Sequence, residues 1–299
     1  MGYGMYTSAD WQKLRKSRGV DNSTSEKDIF TKTECDPRFD PQYITKRESR
    51  DSADHPESLP IIIGLDVTGS MGYLSYNIAT TSLHETMMKL FSTGAVKDPQ
   101  IMFAAYGDYS DRAPLQVTQF ESDIRIAEQL MAIWLENCGS GMVVPQLLWH
   151  FAATRTSTDN YEKRHKKGFI FTIGDNADVR TYTAEIKPTF KRVMNENVLD
   201  CSLTHILNNA TKQFEIFHIV LTHSTSRIPS DIAAALPGHV MVLDPANIDC
   251  IPELLISTIQ LVNGGKAEEI VKQWEDLKQN TILSSLEMLH IPTGGKLQF

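Results

Sequence analysis

The residues of this chain best suited to chemistry lie in three short segments that set acidic side chains beside glycine. The first runs Gly64-Leu65-Asp66-Val67-Thr68-Gly69-Ser70-Met71-Gly72, the second Gly107-Asp108-Tyr109-Ser110-Asp111, and the third Gly174-Asp175-Asn176-Ala177-Asp178. In the first, Asp66-x-Thr68-x-Ser70 supplies one carboxylate and two hydroxyls within five residues. Gly69 and Gly72 let the loop fold tightly enough for all three oxygens to face one point. Such oxygens suit a hard divalent cation. Mg²⁺ takes few protein oxygens, at near-octahedral geometry, and keeps several waters. Mg²⁺ is the expected ion, with Mn²⁺ as the alternative. Asp108 and Asp111 fit either a plain turn or the surroundings of that ion.

Each segment follows an apolar run that reads as a strand. Residues 61–65, 101–106 and 169–173 are short, continuous and rich in β-branched or aromatic side chains, as are 214–221 and 240–243. Runs of this kind suit strands buried on both faces of a parallel sheet, whereas 115–120 alternates as an edge or antiparallel strand does. Between them lie helical periods over 74–91, over 124–134 with Ser122 placed as its cap, from Pro145 onward, and over 182–195, 201–212 and 249–261. Strands alternating with helices predict an α/β fold in three layers, a mostly parallel sheet flanked by helices. In open α/β sheets ligands gather beyond the carboxyl ends of the strands. All three acidic segments occupy such ends.

Residues 59–262 therefore form the main domain. Residues 1–58 are polar and read as an arm with short helices, one opened by Thr7 to Asp10 and stopped near Gly19, another opened by Ser25 to Asp28. The stretch 36–56 looks irregular. In 263–299, Ala267, Ile270, Val271, Trp274 and Leu277 share a helical face that docks on the body or on a partner.

Lys and Arg number 29 against 37 Asp and Glu, a formal charge of −8. Nucleic-acid binders draw affinity from a basic excess, so nucleic acid is not the expected partner. The run Lys163-Arg164-His165-Lys166-Lys167 reads as the solvated end of a helix, His150 as a satisfied histidine, and Trp134 and Trp274 as core. No apolar window of about 18 residues suggests a membrane span. The N-terminus has no apolar h-region, and Tyr6 stands where myristoylation needs Ser or Thr. Cys35, Cys138, Cys201 and Cys250 are scattered, without a CxxC pair. They read as reduced thiols, and the expected location is the cytoplasm.

Asp66-x-Thr68-x-Ser70, between an apolar strand and a helix that begins at once, resembles the metal-ion-dependent adhesion site of von Willebrand factor A domains. The first motif of that family is DxSxS, with Thr allowed in the first hydroxyl slot. A second loop in the family gives a Thr and a third strand end an Asp. Asp175 matches the third motif in place and type. The second falls in Cys138-Gly139-Ser140-Gly141-Met142, where Ser140 is the sole hydroxyl and stands in for the Thr. A narrower resemblance, to stand-alone A-domain proteins of bacteria and phages, adds Lys46 to Ser52, His55-Pro56, Gly107-Asp108 and residues 114–120. That group has a longer glycine-rich second loop followed by an acidic residue; here the loop is short and continues as Val143-Val144-Pro145.

The resemblance implies a Rossmann-like three-layer fold and a Mg²⁺ site at Asp66, Thr68, Ser70, Ser140 and Asp175. It implies that the hydroxyls bind the ion directly while Asp66 and Asp175 hold its waters. Few anions then touch the metal, which accepts a carboxylate from a partner protein: binding, not turnover. Intracellular A domains often work in assemblies with AAA+ ATPases, which makes one the implied partner class.

Two other readings stay open. Asp66-Val67-Thr68-Gly69-Ser70 also resembles the DKTGT phosphorylation motif of P-type ATPases, and Gly174-Asp175-Asn176-Ala177-Asp178 the GDxxD motif of haloacid dehalogenase-like phosphatases. Together they describe an aspartyl-phosphate site with Asp66 as nucleophile and Asp175 and Asp178 on Mg²⁺. Against it, Thr68 holds the position where such enzymes place a second Asp as general acid, and no flap follows the first strand. In the other reading the hydroxyls cap the following helix, the site is a relic, and the protein is a structural component. No P-loop and no GxSxG elbow occurs.

Overall fold

The computed structural model describes residues 4–21, 23–71, 76–77, 83–92, 96–136, 142–175, 183–223 and 228–291, with the main chain alone at 70, 83, 92 and 183–185. Its centre is a six-stranded sheet in the order β4-β3-β2-β6-β7-β8. The strands are β2 (Leu59–Asp66), β3 (Pro99–Tyr106), β4 (Leu115–Val117), β6 (Gly168–Gly174), β7 (Phe214–Leu221) and β8 (Val240–Leu243). All neighbours are parallel except β3 and β4, which run antiparallel at one edge. The sequence reading of 115–120 as an edge strand matches that pairing.

Alternation along the strands sorts the core into two layers. Ile61, Ile63 and Leu65 share one face with Phe103, Phe169, Phe171 and Phe217; Ile62 shares the other with Met102, Ile170 and Ile216. On the first face lie α1 (Ser8–Arg18), α2 (Leu83–Ser92), α3 (Arg125–Leu130), α7 (Ile251–Val262) and α8 (Asp276–Leu286). On the second lie α4 (Pro145–Arg155), α5 (Thr183–Met194) and α6 (Leu203–Ala210). The fold is α/β in three layers. Each large side chain so buried contributes about 1.5–3 kcal/mol over its exposed state, which is why the strands carry unbroken apolar runs. A Cβ on Gly64 would come within 2.5 Å of Leu148 Cδ2, so any other residue there would make the Leu148 side chain of α4 shift.

The arm begins as its sequence suggests. The Thr7 hydroxyl accepts from Asp10 N at 3.2 Å to start α1, and Gly19 ends it in the left-handed region at φ 63°. Trp11 and Leu14 are buried. The irregular stretch 36–56 holds an element the sequence did not suggest. β1 (Arg47–Ser49) pairs in parallel with β5 (Thr156–Thr158) in a second, two-stranded sheet. Three residues carry too little periodicity to be read in advance. Around this pair Arg50 bonds Glu48 at 2.8 Å and Asp159 at 2.9 Å, and Asp51 takes Arg164 at 2.8 Å and Lys163 at 3.3 Å. Arg164 is thus a clasp on the arm, while Lys163, His165 and Lys166 are exposed at a helix end as expected; Lys167 pairs with Glu215 at 3.1 Å.

Two helix expectations are corrected. The period over 124–134 yields a helix only over Arg125–Leu130, with no side-chain cap. Ser122 is drawn elsewhere: its hydroxyl donates to Gly4 O at 2.8 Å and lies 3.1 Å from the His55 ring. Trp134 lies outside the helix, half-buried, its main-chain N–H held by Gln116 Oε1 at 3.0 Å. The period over 267–277 breaks into two short turns, Ala267–Ile270 and Val271–Gln273, and Leu277 is 93% exposed at the start of α8. The break lets the Trp274 indole N–H reach Ser257 Oγ at 2.7 Å. This segment docks on the body, where Ser285 donates to Val242 O at 2.7 Å and Lys278 pairs with buried Glu253 at 3.0 Å. His150 is satisfied by Glu196 at 2.8 Å. Among the described residues no helix is long and apolar enough to cross a membrane.

Candidate metal centre

From β2 the chain crosses to β3 on one side, and β6 flanks β2 on the other. The sheet therefore reverses its winding at β2, and the crevice beyond its carboxyl end is where such sheets bind ligands. Asp66 is the last residue of β2, Asp175 follows the last residue of β6, and Gly107 follows β3.

Asp66 is fully buried. Its Oδ1 accepts from the Thr68 main-chain N–H at 2.9 Å and the Thr68 hydroxyl at 2.7 Å. A hydroxyl that spends its proton on a carboxylate keeps lone pairs for a cation. Among the described residues the other Asp66 oxygen, Oδ2, is buried with no partner, and so is Oδ1 of Asp175. Burial pushes the Asp66 pKa up to about 7; the two Thr68 bonds oppose this, while the charges of Asp175 and Asp111 add to it. Nothing but glycine fits beside this carboxylate: a Cβ on Gly174 would stand 2.9 Å from Asp66 Oδ2 and 3.0 Å from the Tyr106 hydroxyl. That hydroxyl donates to Ile173 O at 3.0 Å. Burial, then the Asp66 and Asp175 charges, raise its pKa well above the usual value, so it remains a donor.

The second segment divides its two acids. Asp108 is a tie: Oδ1 accepts from the Ser110 N–H and hydroxyl at 2.9 and 2.6 Å, and Oδ2 accepts from Met142 N at 2.8 Å. With Val144 N donating to Gly107 O at 3.0 Å, it pins the chain entering α4 against the end of β3. Asp111 Oδ2 accepts from Asp108 N at 2.7 Å, but its Oδ1 is buried and unpartnered among the described residues. Burial, chiefly, raises its pKa to about 6. Its part in the electrostatics of Asp66 was open in the sequence, and Tyr106 was read only as a strand residue.

The sequence-predicted ligands are thus brought together in part. Asp66, Thr68 and Asp175 stand at adjacent strand ends. Ser70 has its main chain in the 3₁₀ turn Gly69–Met71, and its side chain lies outside the description. Ser140, Asp178 and Cys138 lie outside the described residues. The Thr68 hydroxyl donates to Asp66, and the start of the helix it was alternatively expected to cap lies outside the described residues. Among the described residues no group of three or more His, Cys, Asp or Glu side chains is placed to hold a metal. The donors present are two carboxylates and a hydroxyl, with two orphaned carboxylate oxygens, and that set fits an oxygen-seeking divalent cation.

No protein-family model matches the chain. No curated protein matches it either. Among solved structures it is similar to the pilus adhesin SpaC of Lactobacillus rhamnosus GG in its open conformation. The TM-score is 0.46 at 9% identity, over 73% of this chain and 31% of that one. A further crystal structure of SpaC gives 0.45 at 10% identity, over 73% and 32%. This chain thus spans about a third of the length of that adhesin. What fold and strand ends define is an α/β three-layer protein with an acidic, hydroxyl-bearing crevice where the sheet reverses its winding.

Proposed function

We propose that this protein is a von Willebrand A-type interaction module that binds a partner carboxylate through Mg²⁺, with Mn²⁺ as the alternative ion. The observation that carries the reading is the pair of buried, unpartnered oxygens, Asp66 Oδ2 and Asp175 Oδ1, at two adjacent strand ends. Burying ionised carboxylates without a counter-charge is costly, and a divalent cation removes the cost. Asp66, Thr68, Ser70 and Asp175 are the proposed holders, joined by Ser140 from the second loop. The ion supplies a Lewis-acidic position for an acidic side chain of the partner. The chain's own residues organise that position: Thr68 orients Asp66, Gly174 leaves room for it, and Asp108 anchors the chain just after Ser140. The function so proposed is binding without turnover, as an adaptor to an acidic protein surface, with an AAA+ ATPase the partner class drawn from the family resemblance. A cytoplasmic setting is supported by Cys35, Cys201 and Cys250, all free thiols.

The test is thermal unfolding of wild type and Asp66→Ala with and without millimolar Mg²⁺. The reading expects a Mg²⁺-dependent rise in stability that the variant loses. An absent rise in wild type counts against a resident site in the free chain. Hydrolysis of a generic phosphoester by wild type, abolished in Asp66→Asn, would instead establish the aspartyl-phosphate chemistry.

A further inference from the structure

A second charged region lies away from the strand-end carboxylates. A groove of about 840 Å³ opens between the arm and the main domain, and none of Asp66, Thr68, Asp111 or Asp175 lines it. Its walls carry Arg18, Lys32, Arg38, Lys46, Arg47 and Arg125 against one acid, Glu128. The chain as a whole has a formal charge of −8. Such a concentration of cations is not what composition alone would produce.

Internal pairing accounts for part of it. Asp36 bonds Arg38 at 2.7 Å and stands 4.0 Å from Lys32, while Asp123 and Glu121 hold Arg125 at 2.9 and 3.0 Å. Arg18 and Lys46 are exposed and make no ion pair among the described residues. Arg47 is the most telling. Its Nη2 donates to the main-chain carbonyls of Arg38 and Val117, and its Nε is buried without a partner among the described residues. Burial lowers its pKa to about 10 despite the charge of Glu121. A half-buried guanidinium that lines the groove and bonds only neutral carbonyls among the described residues is stabilised by an anion brought to its open side.

The kind of anion follows from size and lining. The volume falls within the roughly 300–1,000 Å³ of small-molecule sites. Guanidinium forks match phosphate oxygens in pairs. An extended acidic peptide spaces its charges along the chain, roughly 3.3 Å per residue with alternate side chains pointing away. A phosphate chain concentrates several charges on a few atoms, which suits cations gathered on one groove. At the rim Tyr43 offers a ring that is 67% exposed, an aromatic surface of the kind on which bases stack.

We propose that this groove binds a polyphosphate-bearing small molecule of the nucleoside di- or triphosphate class, with the phosphates on Arg18, Lys46 and Arg47 and the base against Tyr43. Residues 31–47 of the arm form one wall and residues 119–132 of the domain another, so the ligand fastens arm to body.

The experiment is calorimetric titration of the full chain in EDTA, which separates it from any metal site. The probes are ATP, inorganic tripolyphosphate and a glutamate decapeptide at constant ionic strength. The expected result is saturable one-to-one binding of ATP, weaker binding of tripolyphosphate, and none of the peptide. Lys46→Glu and Arg18→Glu, both at exposed positions, should each weaken ATP by about tenfold, or ~1.4 kcal/mol. Tyr43→Ala should bring ATP to the level of tripolyphosphate. No saturable binding of either phosphate at millimolar concentration overturns the proposal, as does ATP affinity unchanged in both charge variants. Saturation by the peptide alone overturns it in favour of an acidic protein segment, and tripolyphosphate binding as tightly as ATP overturns the nucleoside class.

Discussion

The strand-end crevice and the clasp on the arm are built from the same residue type and treat it in opposite ways. At the clasp, burial works against the ionisation of Asp51, but the bonds from Arg164 and Ser58 outweigh it and hold the carboxyl well below the usual range. Asp159 is lowered in the same manner by Lys163, the Asp51 main chain and Arg50. At the crevice no cation stands among the described partners of Asp66, and burial carries its pKa up to about 7. Carboxylates already satisfied by Arg and Lys are fastenings. Asp66 and Asp175, each with a buried oxygen to spare, have among the described residues no positive charge bonded to them, which is the feature the proposed ion would answer.

That contrast can be broken from either side. The largest effect is expected at the clasp: Asp51→Ala strips Arg164 and Lys163 of their shared anion and the Ser58 N–H and hydroxyl of their acceptor. Removing one partner of a buried ion pair costs about 3–5 kcal/mol, and partial exposure here brings the expectation to about 3 kcal/mol in chemical denaturation. An Asp51→Ala protein as stable as wild type would mean that the clasp contributes no net stability.

Next comes the metal. At a concentration near 100 Kd, Mg²⁺ should add about 2.7 kcal/mol to the native state. Calorimetric melts of wild type and Asp66→Ala measure it, and equal shifts in the two would place the ion elsewhere.

The pH dependence should also differ between the regions. In metal-free protein the folded Asp66 holds its proton up to about pH 7, whereas the unfolded carboxyl loses it near 3.8. The native state binds the extra proton across that window, so this residue's contribution to stability falls as pH rises from about 4 to 7. Asp66→Asn should flatten that slope, and saturating Mg²⁺, which keeps the folded carboxyl ionised, should abolish it across the same window. Urea midpoints across the window test this, and identical slopes in wild type and variant would refute the shift.

His218 gives a smaller effect of opposite sign. Buried beside the Thr172 hydroxyl at 2.8 Å, it has its pKa pushed down to about 4 by desolvation. The unfolded ring protonates first, so stability is lost as pH falls from about 6.5 to 4. His218→Gln should weaken that acid sensitivity. The smallest change is expected at Arg38→Ala, whose exposed guanidinium pairs with Asp36 for about 1 kcal/mol.

Much of the fold was legible because its signals are local. Residues 61–65 and 169–173 are apolar without interruption, which only strands buried on both faces tolerate in a parallel sheet, and Thr7 and Gly19 bound α1 with standard cap chemistry. The spacing of Asp66, Thr68 and Ser70 is equally local, and so was its oxygen chemistry. The rest depended on distant partners. Ser122 looks like a helix cap until Gly4 and His55, far away in the chain, claim its hydroxyl. The period from Ala267 to Leu277 looks continuous until Ser257 draws in the Trp274 indole. The short strand β1 exists only because β5 lies alongside it.

By itself, the sequence determined the alternation of strands and helices, the acids at three strand ends, and the donor types a cation would meet. Hydrophobic period and loop composition are written residue by residue, so those features need no knowledge of what lies across the sheet. Only the tertiary structure decided which carboxylate oxygens were left without a partner. Asp51, Asp66, Asp108 and Asp111 are alike as residues, yet the first is neutralised by arginine, the third is spent on main-chain N–H groups and the Ser110 hydroxyl, and the second and fourth each keep a buried oxygen free among the described residues. The reason is desolvation: the cost of a charge is set by everything packed around it, and that surrounding is assembled from parts of the chain far apart in sequence.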